Sequence, residues 1–208
     1  MARYTGPVCR LCRREGMKLF LKGTRCDTDK CAFERHKATP GMQGVLRSKP
    51  TDYALHLREK QKLKRYYGVL ERQFRRYFQM ATRSPTNTGE VLLSLLERRL
   101  DNIVYRLGFG LSRAQARQIV RHGHILVNGR RIDIPSYLVN PGDVITVKNR
   151  PRSLELVKRN LEERQPNVPD FLNLIPGQIP EGHVLRNPTL EDVSIPVQPQ
   201  LVIEFCSR

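Results

Sequence analysis

The spacing of apolar positions along the chain predicts a series of amphipathic helices and a few short strands. Apolar residues recur at three- and four-residue intervals with Lys and Arg between them, which is typical of helices that bury one face. The predicted helices cover residues 51–67, 71–82, 89–101, 112–123 and 153–164. Apolar runs predict strands at residues 124–127 and 144–147. The proline-rich residues 165–208 predict extended strands and loops that fold back on the body.

The helix predicted at residues 112–123 carries the most informative pattern. The Ser112 hydroxyl can accept a free backbone N–H of the first turn, and Gly123 can adopt the left-handed conformation that ends a helix. Arginines recur every four residues and therefore share one face: Arg113, Arg117 and Arg121. An apolar face is formed by Ala116, Ile119 and Val120.

The segment after this helix predicts a β-hairpin. Asn128-Gly129 is a strong signal for a two-residue turn, and the turn runs directly into Arg130-Arg131. A helix with an arginine edge beside such a hairpin would form a compact cationic surface, for which a polyphosphate backbone is the natural partner. The alternative interpretation is a solvated helix face with no ligand.

Aromatic residues interrupt the basic pattern of the helix predicted at residues 71–82. Phe74, Tyr77 and Phe78 lie at helical spacing between Arg72, Arg75 and Arg76. Residues with this spacing are usually buried, so we expect them in the core. The alternative is that these rings stack on the bases of a single strand.

The charge balance favours the nucleic-acid interpretation. The chain has 37 Lys+Arg against 20 Asp+Glu, a formal net charge of +17 over 208 residues. Residues 1–83 hold 21 basic and 7 acidic side chains, so most of the excess lies there. Such an excess points to nucleic acid or an anionic membrane. A membrane partner is disfavoured, because no apolar run approaches the ~20 residues that span a bilayer.

Cysteine spacing predicts a metal-binding knuckle near the N-terminus. Cys9 and Cys12 form a C-x2-C pair, and Cys26 and Cys31 form a C-x4-C pair. The N-terminus lacks the apolar core of a signal peptide, so the default compartment is the cytoplasm, where thiols stay reduced. Two short pairs joined by a loop can place four thiolates around one ion.

Zinc is the preferred occupant of this knuckle, with one structural ion. An iron–sulfur cluster is the alternative, since four Cys can ligate either. Four unconnected thiols are the interpretation without a metal. His36 could replace one ligand, although a surface role is expected for it. Cys206 has no partner nearby in the sequence and is expected to be a small buried apolar residue.

These elements predict an α+β protein with three parts. Residues 1–45 form the metal knuckle and a basic arm, and residues 46–92 form a basic helical domain. Residues 93–208 form a small α/β RNA-binding domain, in which two helices pack on a mostly antiparallel sheet and C-terminal strands fold back on the body.

An enzyme is the competing class, and the sequence disfavours it. No GxxxxGK[ST] loop for phosphates occurs, and no serine or cysteine nucleophile lies in a recognisable elbow. A zinc hydrolase needs an open coordination position, which four Cys ligands do not leave. A third hypothesis is a stand-alone regulatory RNA chaperone.

Several motifs resemble the RNA-binding domain named after small-subunit ribosomal protein S four. They comprise Leu96-Glu97-Arg98-Arg99-Leu100-Asp101, Arg106-Leu107-Gly108, Ser112-Arg113, His122-Gly123-His124, Val127-Asn128-Gly129 and Pro141-Gly142-Asp143. The similarity extends over nearly the whole chain. It includes Arg3-Tyr4, Gly6-Pro7, Arg58-Glu59-Lys60-Gln61-Lys62-Leu63 and Gln200-Leu201-Val202-Ile203-Glu204-Phe205. The chain therefore resembles the bacterial family of that ribosomal protein, in the version that keeps four cysteines.

This resemblance implies a structural constituent of the 30S subunit of a bacterial-type ribosome in the cytoplasm. It implies a primary binder of 16S ribosomal RNA (rRNA) at a multi-helix junction, which nucleates assembly of the 30S body. It also implies contact with small-subunit ribosomal protein S five, an effect on translational accuracy, proximity to messenger RNA (mRNA) where it enters the subunit, and repression of the protein's own operon.

The candidate RNA-binding residues follow from the basic helices, the arginine helix and the hairpin. They are Lys49, Arg58, Lys62, Arg65, Arg72, Arg76, Arg99, Arg106, Ser112, Arg113, Arg117, Arg121, His122, His124, Asn128, Arg130 and Arg131.

Overall fold

The computed structural model describes residues 3–41, 49 and 51–207. The chain divides into two compact units. The first unit comprises the residues up to Leu92 together with those from Ile195 onward, and the second unit comprises Leu93–Ser194. Within the described residues, no helix combines the length and the apolar character needed to cross a lipid bilayer.

The first unit is helical, and its N-terminal part consists of short helices and turns. Its helices are α1 (Cys9–Glu15), α2 (Ala32–Arg35), α3 (Asp52–Tyr66), α4 (Glu71–Thr82) and α9 (Pro199–Ser207), and a 3-10 turn covers Gly23–Asp27. The Thr51 side chain caps α3 by accepting a hydrogen bond from the Ala54 N–H at 3.3 Å. The aromatic residues Phe74 and Tyr77 are buried, as their helical spacing predicts, and Phe78 is half-buried.

Helix α9 replaces the strand and loop structure that was expected at the C-terminus. Its apolar run packs against α3, where the rings of Tyr53 and Phe205 lie 5.4 Å apart and Val202 is buried. Gly89 lies so close to Pro199 that a Cβ there would overlap it. The expectation was wrong because a short apolar run fits a buried helix as well as a strand.

The second unit is an antiparallel sheet packed against helices. Helix α5 (Thr88–Glu97) leads into it, and α6 (Leu100–Arg106), α7 (Arg113–Arg121) and α8 (Pro151–Arg164) follow. The strands are β1 (Ile125–Val127), β2 (Arg130–Arg131), β3 (Val144–Val147), β4 (Leu172–Ile175) and β5 (Glu181–Val184). Their order is β2-β1-β3-β5-β4, and every pairing is antiparallel. The predicted α+β class is therefore confirmed.

The sequence signals around α7 have the structural roles predicted for them. Ser112 caps the helix by accepting a hydrogen bond from the Gln115 N–H at 3.2 Å, and Gly123 follows it with φ of 71°. Asn128 and Gly129 both have positive φ, as a two-residue hairpin turn requires. The predicted apolar face is buried in the core of the unit and consists of Ala116, Ile119 and Val120.

The single helix predicted over residues 89–101 is divided into α5 and α6. Arg99 has extended backbone angles and forms a β-bridge with Leu138. The N–H of Leu100 donates to the Tyr137 carbonyl at 2.8 Å, and the N–H of Val139 donates to the Arg98 carbonyl at 2.9 Å. These bonds to a distant segment satisfy backbone groups that a continuous helix would have paired locally.

Two buried carboxylates organise the interior of this unit. Glu97, whose side chain has no exposed area, accepts hydrogen bonds from Arg106 Nη2 at 2.6 Å and from Asn102 Nδ2 at 2.5 Å. Asp101 accepts from Arg99 Nη2 at 2.6 Å and from Arg117 Nη1 at 3.3 Å. These pairs connect α5, α6 and α7 through charge-assisted hydrogen bonds.

We expect Arg106→Met to destabilise the protein strongly. The substitution leaves the Glu97 carboxylate buried without its guanidinium, and the loss of one partner of a buried ion pair costs roughly 3–5 kcal/mol. Urea unfolding measures this loss. Arg159→Met is the matched control, because Arg159 is exposed on α8 and such changes cost about 0.5 kcal/mol or less. Equal midpoints for the two variants would contradict a structural role for the pair.

Candidate nucleic-acid interface

The end of α7 and the hairpin together form an exposed basic edge on the second unit. Arg121 and His122 are exposed at the last turn of the helix. Arg130 and Arg131 are exposed on β2, directly after the hairpin turn. The Arg131 guanidinium lies over Gly123, so that a Cβ on Gly123 would overlap it. The helix end and the hairpin therefore present their cations side by side.

The arginine row of α7 does not form one continuous exposed face. Arg113 is buried, donates from Nε to the Asn102 side chain at 2.9 Å, and lies over the Tyr105 ring. Arg117 is half-buried and bonded to Asp101. Of these three arginines, Arg121 alone is exposed.

Three predicted RNA contacts need correction because the side chains are buried inside the unit. These residues are Arg99, Arg106 and Arg113, and their exposed fractions are 0%, 8% and 7%. Their guanidinium groups bond to carboxylates or to an amide within the same unit. They stabilise the fold that carries the basic edge.

Polar residues predicted to contact RNA are also engaged within the unit. The Asn128 side chain donates to Asp143 at 2.7 Å and accepts from the Val144 N–H at 2.9 Å, which ties the hairpin turn to β3. His124 Nδ1 lies 2.8 Å from the Ser153 hydroxyl. The Ser112 hydroxyl caps α7. These side chains fix the local shape of the edge.

Further basic residues at this edge were missing from the sequence prediction. The Lys148 N–H donates to the His124 carbonyl at 2.7 Å, and the charges of Arg150 and Lys148 act on the His124 ring. The signal in the sequence is a basic run that begins directly after β3 and continues into the first turn of α8, Lys148-Asn149-Arg150-Pro151-Arg152. This run has no helical period of its own, because it begins in the link after β3 and ends in the first turn of α8.

In the first unit, α3 and α4 present a second set of basic residues. Arg72 and Arg76 are exposed on α4, and Lys49 is exposed before α3. Lys62 is half-buried, pairs with Glu59 at 2.5 Å and donates to the Pro196 carbonyl at 3.0 Å. Of these residues, Lys62 therefore has part of its charge neutralised within the unit.

Carboxylates neutralise several other cations of α3. Burial would raise the pKa of Glu71, but hydrogen bonds from Lys60, Lys64 and Arg75 outweigh burial and lower it to about 2. Glu15, at the end of α1, pairs with Arg65 and with Arg58, and its side chain is 1% exposed. The predicted RNA contacts Arg58 and Arg65 thus have a structural partner.

The four N-terminal cysteines line one small cavity. Cys9, Cys12, Cys26 and Cys31 surround it together with Val8, Leu21, Lys22 and Phe33. The volume of the cavity is about 10 Å³. This is close to the smallest cavity volume that can hold one water molecule. Burial is the main cause that raises the pKa of the Cys12 and Cys26 thiols.

The side chains do not form a completed metal site as they stand. Within residues 3–41, 49 and 51–207, no group of three or more His, Cys, Asp or Glu is arranged so that it could hold a metal ion. His36 is exposed and is not part of the cavity lining. Cys206 is half-buried near the end of α9.

The second unit, which carries the basic edge, contains an S4 domain. The sequence matches that domain over residues 98–145, and it matches the ribosomal protein S4/S9 N-terminal domain over residues 3–97. The exposed basic edge contains the end of α7 and the hairpin, and both lie within the matched S4 domain.

Full-length relatives identify the family. The small ribosomal subunit protein uS4 of Thermoanaerobacter sp. (strain X514) is 59% identical over 208 residues, which covers 100% of both chains. The uS4 protein of Thermus thermophilus is 58% identical over 211 residues, with the same coverage. The chain therefore belongs to the uS4 family of small ribosomal subunit proteins. It is a family of structural ribosomal proteins and not of enzymes.

We expect Glu15→Gln to loosen the attachment of α1 to α3. The neutral amide cannot form the charge-assisted bonds to Arg58 and Arg65, and the cost is about 1–3 kcal/mol. Faster reaction of the cysteine thiols with a thiol reagent would report this loosening. Glu34→Gln is the matched control, because Glu34 is exposed where it pairs with Lys18, whereas the Glu15 side chain is buried. Identical thiol reactivity in both variants would show that Glu15 does not hold the N-terminal segment.

Proposed function

We propose that this protein is a primary binder of 16S rRNA at a multi-helix junction of the small subunit. In this role it nucleates assembly of the 30S body in the cytoplasm. The observation that carries the proposal is the exposed basic edge, whose helix end and hairpin lie within the S4 domain of a uS4 family member. RNA junctions offer phosphates and 2′-hydroxyls, and an arrangement of fixed cations recognises their shape.

The exposed basic residues divide into two groups with different tasks. In the second unit, Arg121, Arg130 and Arg131 project from a helix end and a tight turn, whose backbones are held by capping and by hairpin bonds. Rigid positions suit shape-specific contacts to a folded junction. In the first unit, Arg72 and Arg76 lie on an exposed helix face and suit phosphate contacts that have little sequence preference.

Further roles belong to the same proposal. We infer contact with small-subunit ribosomal protein S five, proximity to mRNA where it enters the subunit, an effect on translational accuracy, and repression of the protein's own operon. The support for these roles is membership of the uS4 family. Co-sedimentation with 30S particles separates this function from that of a stand-alone RNA chaperone, which would stay in the free fraction.

We also propose that the four cysteines bind one structural zinc ion. All four line the same small cavity, and the Lys22 N–H lies 3.3 Å from Cys26 Sγ, where it would stabilise a thiolate. A tetrahedral set of four thiolates would require these side chains to turn toward one common point in the cavity. An ion at this position would supply much of the folding free energy of a segment with little core. An iron–sulfur cluster is the alternative occupant.

We expect the double substitution Arg121→Ala and Arg130→Ala to weaken binding to 16S rRNA about tenfold or more without unfolding the protein. Both side chains are exposed, so their loss removes phosphate contacts and leaves the core intact. The slope of log Kd against log salt should fall by roughly 1 for each lost contact. Filter binding over a salt series measures both quantities.

Arg117→Ala is the contrasting variant for this experiment. Arg117 is bonded to the buried Asp101, so its removal should lower the melting temperature as well as the affinity. If the exposed pair Arg121 and Arg130 can be removed with unchanged affinity and slope, the basic edge does not bind the RNA.

The metal proposal predicts one zinc per chain, or iron with visible absorbance if the occupant is a cluster. Elemental analysis of protein purified anaerobically without chelators measures this ratio. Cys12→Ser should abolish metal binding, because it removes one of four ligands. Cys206→Ser is the matched control and should retain the metal. Wild-type protein without stoichiometric metal would refute the proposal.

A further inference from the structure

Two histidines lie among the cations of the basic edge. His122 follows the last turn of α7, and His124 precedes β1. Their ring centroids are 6.1 Å apart. His122 is exposed and His124 is half-buried. A single phosphate group could therefore approach both imidazoles from the solvent side.

Each element packed around the pair contributes a basic or polar group. Arg121 comes from α7, and Arg131 on β2 lies over Gly123 between the histidines. Lys148 and Arg150 follow β3, and both act electrostatically on His124. Ser153, on the first turn of α8, holds the His124 ring by a contact of 2.8 Å to Nδ1. The ring of His124 thus has a fixed orientation within a strongly positive field.

We propose that this histidine pair and its surrounding cations bind one RNA phosphodiester, and that binding takes up a proton on the pair. The inference rests on the proposed function, because the phosphate belongs to the RNA that the basic edge binds. It adds a specific position for one phosphate and a dependence of affinity on pH.

The charges around His124 determine whether RNA binding takes up or releases a proton. In the free protein, burial lowers the pKa of His124, and electrostatic repulsion from the neighbouring basic groups His122, Arg150 and Lys148 lowers it further. Before binding, His124 therefore holds a proton less readily than an ordinary histidine. A phosphate adds negative charge beside the ring and favours its protonated form. RNA binding and protonation then strengthen each other, so affinity increases as the pH falls.

Calorimetry and filter binding with a 16S rRNA transcript test this inference. Titrations near pH 7 in two buffers of different ionisation enthalpy give the number of protons taken up, which we expect to be roughly 0.25–0.5. Between about pH 8 and pH 6 the Kd should fall roughly three- to tenfold, since one linked proton changes affinity by at most tenfold per pH unit.

Substitution variants separate the histidines from every other titrating group. The variant with His122→Gln and His124→Gln should lose both the proton uptake and the pH dependence. His122→Gln alone, at an exposed position that cannot disturb the core, should reduce them. His183→Gln is the matched control, because His183 lies on β5, two strands away from β1. This control should behave like the wild-type protein.

The outcomes distinguish this inference from the proposed function. If the wild-type protein binds the transcript with the same pH dependence and proton number as the double histidine variant, the histidine site is refuted and the RNA-binding function stands. If the wild-type protein does not bind the transcript at any pH, both are refuted.

Discussion

The second unit depends on two carboxylates that are buried among arginines. Glu97 and Asp101 lie at the end of α5 and the start of α6, and each would be costly to bury without a cationic partner. Arg106 satisfies the first of them, and Arg99 with Arg117 satisfies the second. The Arg117–Asp101 pair joins α7 to α6. A buried carboxylate therefore helps to fix the positions of the exposed residues at the end of α7.

The sequence correctly predicts those structural features that depend on interactions between neighbouring residues. The cap at Ser112, the left-handed Gly123 and the Asn128-Gly129 turn all act within a few residues, and the structure shows each of them as predicted. The bounds of α4 and β3 also agree with the hydrophobic pattern. Elements of this kind are predictable because neighbouring residues determine them.

Long-range pairings determine what the sequence could not show. In the sequence, an arginine on a helix face is equally consistent with binding RNA and with pairing to a buried carboxylate. Which of the two occurs depends on where Glu97 and Asp101 lie in the folded unit. Arg106 meets a carboxylate nine positions earlier, and Arg117 meets one sixteen positions earlier. Likewise, α9 packs on α3, where Phe205 lies against Tyr53 from a distant part of the sequence.

The same arrangement recurs in the first unit, where Glu15 and Glu71 bind cations of α3. In both units, carboxylates pair with some of the basic side chains and hold in place the helices that carry other, exposed basic side chains. The number of Lys and Arg residues, 37, therefore does not measure the number of phosphate contacts, because many of these cations have carboxylate partners. In the second unit, Arg121, Arg130 and Arg131 remain exposed at a helix end and a tight turn. Cations on such rigid positions lose little entropy when they bind, which favours one defined RNA shape over general attraction to polyanions.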